Sequence, residues 1–256
     1  MENDNKNNNN NDETANNKKR KRKIKVSIGS ILSALLAFVV GGLLGFFIGT
    51  KNGLNVGEKI ALEYMEYNAV QPVKADSSLI TSDPAAVYGP EDAEINIKYF
   101  SDLECPSCAT MMEESLKPIT GNERVRVAFY DSPSSSHKYA RLAAAYIRCA
   151  TKQDVDYIDF VSSLNSDYSN WTSMLKEANV SEYLLNTAVK LGADEDTMNL
   201  CVIGADVYDA IDANIADGLL VGMRGTPSYL INDNLMSGYV SKETFSRMIN
   251  QLGSNQ

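Results

Sequence analysis

The chain has 256 residues, 44% of them hydrophobic and 22% charged, a balance that admits one or two globular domains. Its net charge of −9 is unevenly spread: residues 1–50 hold eight Lys/Arg and four Asp/Glu, whereas the rest hold 16 and 29. An acidic body lacks the basic face that phosphate binding needs, which excludes nucleic acid as partner, and a basic N-terminus ahead of it reads as a membrane-orienting arrangement.

The chain opens with the Asn-rich stretch MENDNKNNNNNDETANN, which has no apolar residue to start a core, so residues 1–25 are expected to form a disordered cytoplasmic tail. It ends in seven basic residues among the eight from Lys18 to Lys25. Val26 to Thr50 then run for 25 residues without a charge. As a helix that is about 37 Å, enough to cross a hydrocarbon core of about 30 Å. The rival is a cleaved signal peptide, but its apolar region is shorter and ends in a small-x-small site. The run therefore reads as an uncleaved anchor in the cell membrane. The positive-inside rule leaves its N-terminus cytoplasmic and all after Lys51 extracytoplasmic. Gly41, Gly45 and Gly49 recur every four residues, on one helix face, which suits self-association as well as plain membrane filler.

Residues 51–85 read as a stalk that ends in turn-rich sequence. INIKYF (95–100) is β-branched and aromatic, a strand. The tetrapeptide Cys105-Pro106-Ser107-Cys108 follows it, and CATMMEESLKPI continues as a helix. VRVAFY (125–130) is a second strand. About 90 residues of helical pattern come next, in pieces at 137–152, 154–165, 171–190 and 194–217. SYLIN, a turn at Asn232–Asn234, LMSGYV and a closing helix from Ser241 to Leu252 complete an α/β pattern.

The Cys105/Cys108 spacing has three uses: a redox dithiol, half of a metal site, or none. A thiol at a helix N-terminus meets unpaired N–H groups and the positive end of the dipole, both of which favour the attacking thiolate. That makes Cys105 the nucleophile and Cys108, one turn inside, the resolving thiol. Pro106 suits the first turn, where its missing N–H costs nothing. Structural zinc wants four ligands. The chain has no second CxxC and a single histidine, His137, so no metal is expected, and Met111 and Met112 read as core filler. Asp102 and Glu104 read as solvated loop acids, and His137 as a residue packed at the first inserted helix. Cys149 and Cys201 lie in helical pattern and could be buried free thiols or a structural bridge; outside the cell the bridge is favoured. Thr226-Pro227 enters a strand, where a cis bond would expose Thr226 backbone groups to an extended peptide and a trans bond would make an ordinary turn.

Together these stretches resemble a family. VYGPEDAEINIKYFSDLECPSC (87–108), HKYARLAAAYIRCATKQ (137–153) and RGTPSYLIND occur in the order found in DsbA-like thiol–disulfide oxidoreductases of the thioredoxin superfamily. The resemblance implies a thioredoxin fold over 86–253, interrupted by a helical insertion at about 134–218. It implies an active dithiol at Cys105 and Cys108, a substrate-contacting loop at Thr226 and Pro227, and a Cys149–Cys201 pair. It also implies extracytoplasmic cysteine-containing proteins as substrates, a membrane quinone-linked redox partner, and no bound cofactor. The chain departs from the family at three points, one of them being that His137 is its single histidine. Ser107 stands where the best-known oxidases have His, which predicts a milder oxidant. Tyr99 stands where many thioredoxin-fold enzymes hold a buried carboxylate, a place that Asp102 or Glu104 could take, although each reads rather as a solvated loop acid.

Overall fold

The computed structural model describes residues 71–253; the expected tail, the 26–50 span with Gly41, Gly45 and Gly49, and most of the stalk lie outside the described residues. Among the described residues no helix is long and apolar enough to cross a membrane. Six strands form one sheet: β1 (Val73–Lys74), β2 (Ala86–Tyr88), β3 (Ile95–Ser101), β4 (Val125–Asp131), β5 (Ser228–Ile231) and β6 (Asn234–Ser237). Their order is β1-β6-β5-β3-β4-β2, with β3 and β4 parallel and every other pair antiparallel.

Alternation along the central strands splits the core into two layers. Ile95, Ile97, Tyr99, Val125, Val127 and Phe129 face one side, in the large core shared with the helices. Phe100, Ala128, Tyr130 and Leu230 face the other, where Ile80, Val221 and Met223 cover them. Both faces of the parallel pair are therefore covered toward the strands' C-terminal ends, while Asn96, Lys98 and Arg126 stay half-buried on the second face. The β2–β3 turn needs Gly89, whose φ is +90° and where a Cβ would sit 2.0 Å from the Val125 carbonyl oxygen. The β5–β6 hairpin turns through Asn232, also at positive φ.

A short helix, α1 (Pro106–Met111), follows β3 and runs on through a wide turn at Met112–Leu116 and a tight one at Lys117–Ile119. Between β4 and β5 lies the helical insertion: α2 (Ala140–Thr151), α3 (Tyr157–Ser166), α4 (Tyr168–Thr172), α5 (Glu177–Lys190), α6 (Glu195–Cys201) and α7 (Ala205–Leu220). Small side chains let α2 sit at its centre, packed against α3, α5, α6 and α7. The closing helix is α8 (Lys242–Gly253). Two expected helices are each broken in two. Ser173–Lys176 separates α4 from α5, while Asp194 caps α6 by accepting from Thr197 N–H and Gly204 starts α7.

The stalk expectation fails at its end. Residues 73–85 are part of the domain: β1 pairs with β6, Ile80 is buried, and the Thr81 and Ser82 N–H groups donate to the Asp217 carboxylate at 2.8 and 2.7 Å. The pairings are too short to leave a periodic signal, and β2 is likewise hidden in turn-rich sequence. The same strap meets a buried polar knot. Arg148 on α2 pairs with Asp131 at the end of β4 and donates to Asn214 on α7, whose amide donates to Ser82 Oγ at 2.8 Å and Asp83 O at 3.0 Å.

Candidate active site

β3 ends at Ser101, and the chain turns through Asp102–Glu104 so that Cys105 becomes the residue capping α1. Cys105 N–H donates to Asp102 O at 3.1 Å, and its carbonyl accepts Ala109 N–H at 3.1 Å. Pro106 occupies the first helical turn. Both thiols are free; Cys105 is 8% exposed and Cys108 4%. They differ in acidity. A hydrogen bond with the Cys108 thiol, then the Cys108 and Ser107 backbone N–H groups and Thr226, hold Cys105 down to about 6, against the effect of burial. Burial, joined by the neighbouring Cys105, pushes Cys108 well above the usual thiol range. Ser107 acts through its backbone, and its side chain is exposed.

The Thr226–Pro227 peptide is cis and abuts this cap. The Cys105 thiol donates to the Thr226 carbonyl at 3.6 Å. Pro227 O accepts Gly238 N–H at 2.8 Å, and Ser228 Oγ links Gly225 O to Ser237 Oγ, so β5 and β6 fix the loop. Cys149 and Cys201 form a disulfide with Cα atoms 5.8 Å apart, which joins α2 to α6 inside the insertion. The structure thus brings Cys105, Cys108, Thr226 and Pro227 together and keeps the second cysteine pair in the helical part.

Three expectations about nearby residues are corrected. Asp102 and Glu104 are not solvated: they are 1% and 9% exposed. Asp102 Oδ1 accepts Glu104 N–H at 2.8 Å, its Oδ2 accepts Ser134 N–H at 2.6 Å, and Glu104 accepts the Tyr139 N–H. His137 is not packed on the first inserted helix. It precedes α2 and sets its Nδ1 2.8 Å from Asp102 Oδ2. Two acids within three positions of a cysteine were visible in the sequence, but their partners lie about 30 residues on and meet them only in the folded chain. At the position of the family's buried carboxylate, Tyr99 is fully buried, and its hydroxyl donates to Cys108 O at 3.3 Å. Burial holds that hydroxyl protonated. A cavity of about 10 Å³, room for roughly one water, lies between Tyr99, Asp102, Cys108 and Asn165.

The far larger hollow between β2 and the α2–α3 turn, about 500 Å³, holds none of these groups. The dithiol sits instead at the start of α1 against the cis Thr226–Pro227 peptide, whose backbone groups suit a polypeptide more than a small molecule. Among the described residues no three His, Cys, Asp or Glu side chains are grouped so as to hold a metal ion.

The thioredoxin family model matches residues 81–251. No curated protein matches the sequence. Among solved structures, a thioredoxin-like oxidoreductase from Silicibacter pomeroyi is similar with a TM-score of 0.57 and 22% identity, covering 71% of this chain and 100% of that one. Alpha-DsbA1 of Wolbachia pipientis gives 0.56 and 20% over 66% of this chain and 90% of that one. BdbD of Bacillus subtilis gives 0.58 and 17% over 73% and 99%. At these identities the likeness is one of fold: a thioredoxin-like α/β sheet with a helical insertion. With the family model spanning most of its length, the chain belongs to the thioredoxin family.

Proposed function

We propose that this protein is a membrane-anchored, extracytoplasmic thiol–disulfide oxidoreductase that oxidises cysteine-containing proteins through Cys105 and Cys108. The observation that carries this reading is the pair of free thiols at the N-terminus of α1 against the cis Thr226–Pro227 peptide, an arrangement that holds Cys105 down to about 6 while burial pushes Cys108 up. In the oxidised enzyme a substrate thiolate attacks the Cys105 sulfur, breaks the Cys105–Cys108 bond, and expels Cys108, which takes up a proton. The second substrate thiolate then attacks its own sulfur in the mixed disulfide and expels Cys105. A low-pKa thiolate leaves readily, so the second step runs toward oxidised substrate. Two electrons pass to the enzyme, and the family analogy supplies a quinone-linked membrane partner to remove them. The 26–50 segment would keep the domain near that partner, and the Gly41/Gly45/Gly49 face would allow two anchors to pair. Thr226 and Pro227 would hold the substrate chain as an added strand.

The test is the reduction potential of the Cys105–Cys108 pair, measured on the full chain in detergent against glutathione. A value between about −120 and −180 mV is expected of an oxidase or isomerase. One near −270 mV would make the same site a reductase fed with electrons from across the membrane. Absence of exchange would leave an anchored peptide-binding module.

A further inference from the structure

The CPSC sequence places no cation between its cysteines, and the loop before it adds two buried acids, Asp102 and Glu104. Carboxylates beside a thiol oppose its ionisation. The partners of these acids are the Glu104, Ser134 and Tyr139 N–H groups and the His137 ring. Asp102 is thus gripped from two sides: by the loop that aims Cys105 and by the 134–137 segment that carries the ring. With Nδ1 committed to Asp102, Nε2 is the atom that gains or loses the second proton.

We infer that His137, held in place by Asp102, is a positioning residue that supplies positive charge to the Cys105 thiolate from outside the CxxC, in place of a histidine within it. The inference rests on the thiol–disulfide reading above for its purpose, though not for its test. Around the Asp102–Glu104 loop that meets the ring are also Cys108, whose thiol bonds with Cys105, and Tyr168 on α4, whose hydroxyl donates to Glu104 O. Lys138 is turned to Leu175 O at 3.0 Å and to the face of Tyr139. Burial lowers the His137 pKa, but Asp102 first, then Glu104 and Cys105, raise it above its ordinary value. The attraction is mutual, since a thiolate that stabilises an imidazolium is stabilised by it equally. The sign follows: the charge is present below the ring's pKa and is lost as pH rises through it, so the two groups titrate as a coupled pair.

The test uses the full-length reduced protein, with the rate of Cys105 alkylation by iodoacetamide followed by mass spectrometry from pH 5 to 9. Thiolate absorbance at 240 nm is read alongside on wild type, His137→Gln and His137→Lys. H137Q is expected to slow alkylation at pH 6 by about three- to tenfold, the size of a partly screened charge interaction. H137K should recover most of that rate at pH 6, and the three profiles should converge above about pH 8, where the Cys105 thiolate is almost fully formed. The inference is overturned if the H137Q profile overlays wild type, or if H137K shifts it as far as H137Q does. Alkylation reads the thiol and not turnover. Loss of exchange with peptide disulfides in the wild type would sink the oxidoreductase reading while the variants still decide the role of His137.

Discussion

The two parallel strands at the centre of the sheet end side by side, with Ser101 opposite Asp131, and each delivers an acid there. Asp131 closes β4 and Asp102 follows β3. Both are buried, and both meet a base from the segment that follows β4, yet they do opposite things. Asp131 pairs with Arg148, with both side chains under a tenth exposed, and Asn214 seals the pair by accepting from Arg148 and from the Asp131 N–H. Burial pushes the Asp131 carboxyl up, and Arg148 pulls it back. An arginine is charged at every working pH, so this end is a fixed clasp. Asp102 pairs with a histidine whose side chain is 33% exposed, so that end can respond to protons. One architectural position therefore serves as a fastening on one strand and as an adjustable site on the next, and the choice of base decides which.

The contrast can be broken at either end. The largest effect is expected from Cys105→Ser, which should reduce disulfide exchange to background in an insulin- or peptide-oxidation assay. Its urea unfolding curve should stay near wild type, because the clasp and core are untouched. Arg148→Ala should do the reverse. A buried carboxylate left without its partner costs about 3–5 kcal/mol, read as a lower urea midpoint, whereas the protein that remains folded should keep Cys105 titrating near 6. Replacing Cys149 and Cys201 by Ala opens a crosslink with a sequence separation of 52. The chain-entropy model gives about 4 kcal/mol for that loop. Exchange at Cys105 and Cys108 should persist, since the crosslink lies within the insertion.

How much of this was visible in the sequence follows the range of the interactions. β3, β4 and the hairpin strands carry their β-branched and aromatic patterns locally, so INIKYF and VRVAFY gave themselves away, and Cys105-Pro106-Ser107-Cys108 announced a helix cap. β1 and β2 did not, because strands of two and three residues have no period to read. The helices were placed, but the breaks at Ser173–Lys176 and before Gly204 depend on caps that a hydrophobic pattern passes over. The roles of Asp102, Glu104 and His137 are not legible in the sequence, for one physical reason. An acid in a loop is solvated unless something distant covers it, and here the cover is the 134–139 segment, gathered only when β3 and β4 pair. Tyr99 shows the converse: the sequence revealed a missing carboxylate but not that a protonated hydroxyl would bond to the Cys108 carbonyl.

The smallest effect concerns the strap of residues 73–85, which carries no periodic signal in the sequence. Asp217 holds it by accepting the Thr81 and Ser82 N–H groups. Burial raises this carboxyl, but the Ser82 and Thr81 hydrogen bonds and the Lys98 charge outweigh it, and the net direction is down. A group lowered in the folded state stabilises above its unfolded pKa and loses that contribution as pH falls through the folded value. Asp217→Asn keeps an acceptor oxygen and removes the charge, so it should cost about 1–2 kcal/mol at neutral pH, as a charge-assisted hydrogen bond becomes a neutral one. The deficit against wild type should begin to shrink only below about pH 4 and vanish as pH falls through the lowered folded value, where the wild-type carboxyl is itself protonated. A deficit that is constant with pH would mean the strap is held by Ile80 and the β1–β6 pairing alone. Hydrogen exchange at Thr81 and Ser82 separates the two cases, because only loosening at the carboxylate speeds those amides ahead of Ile80.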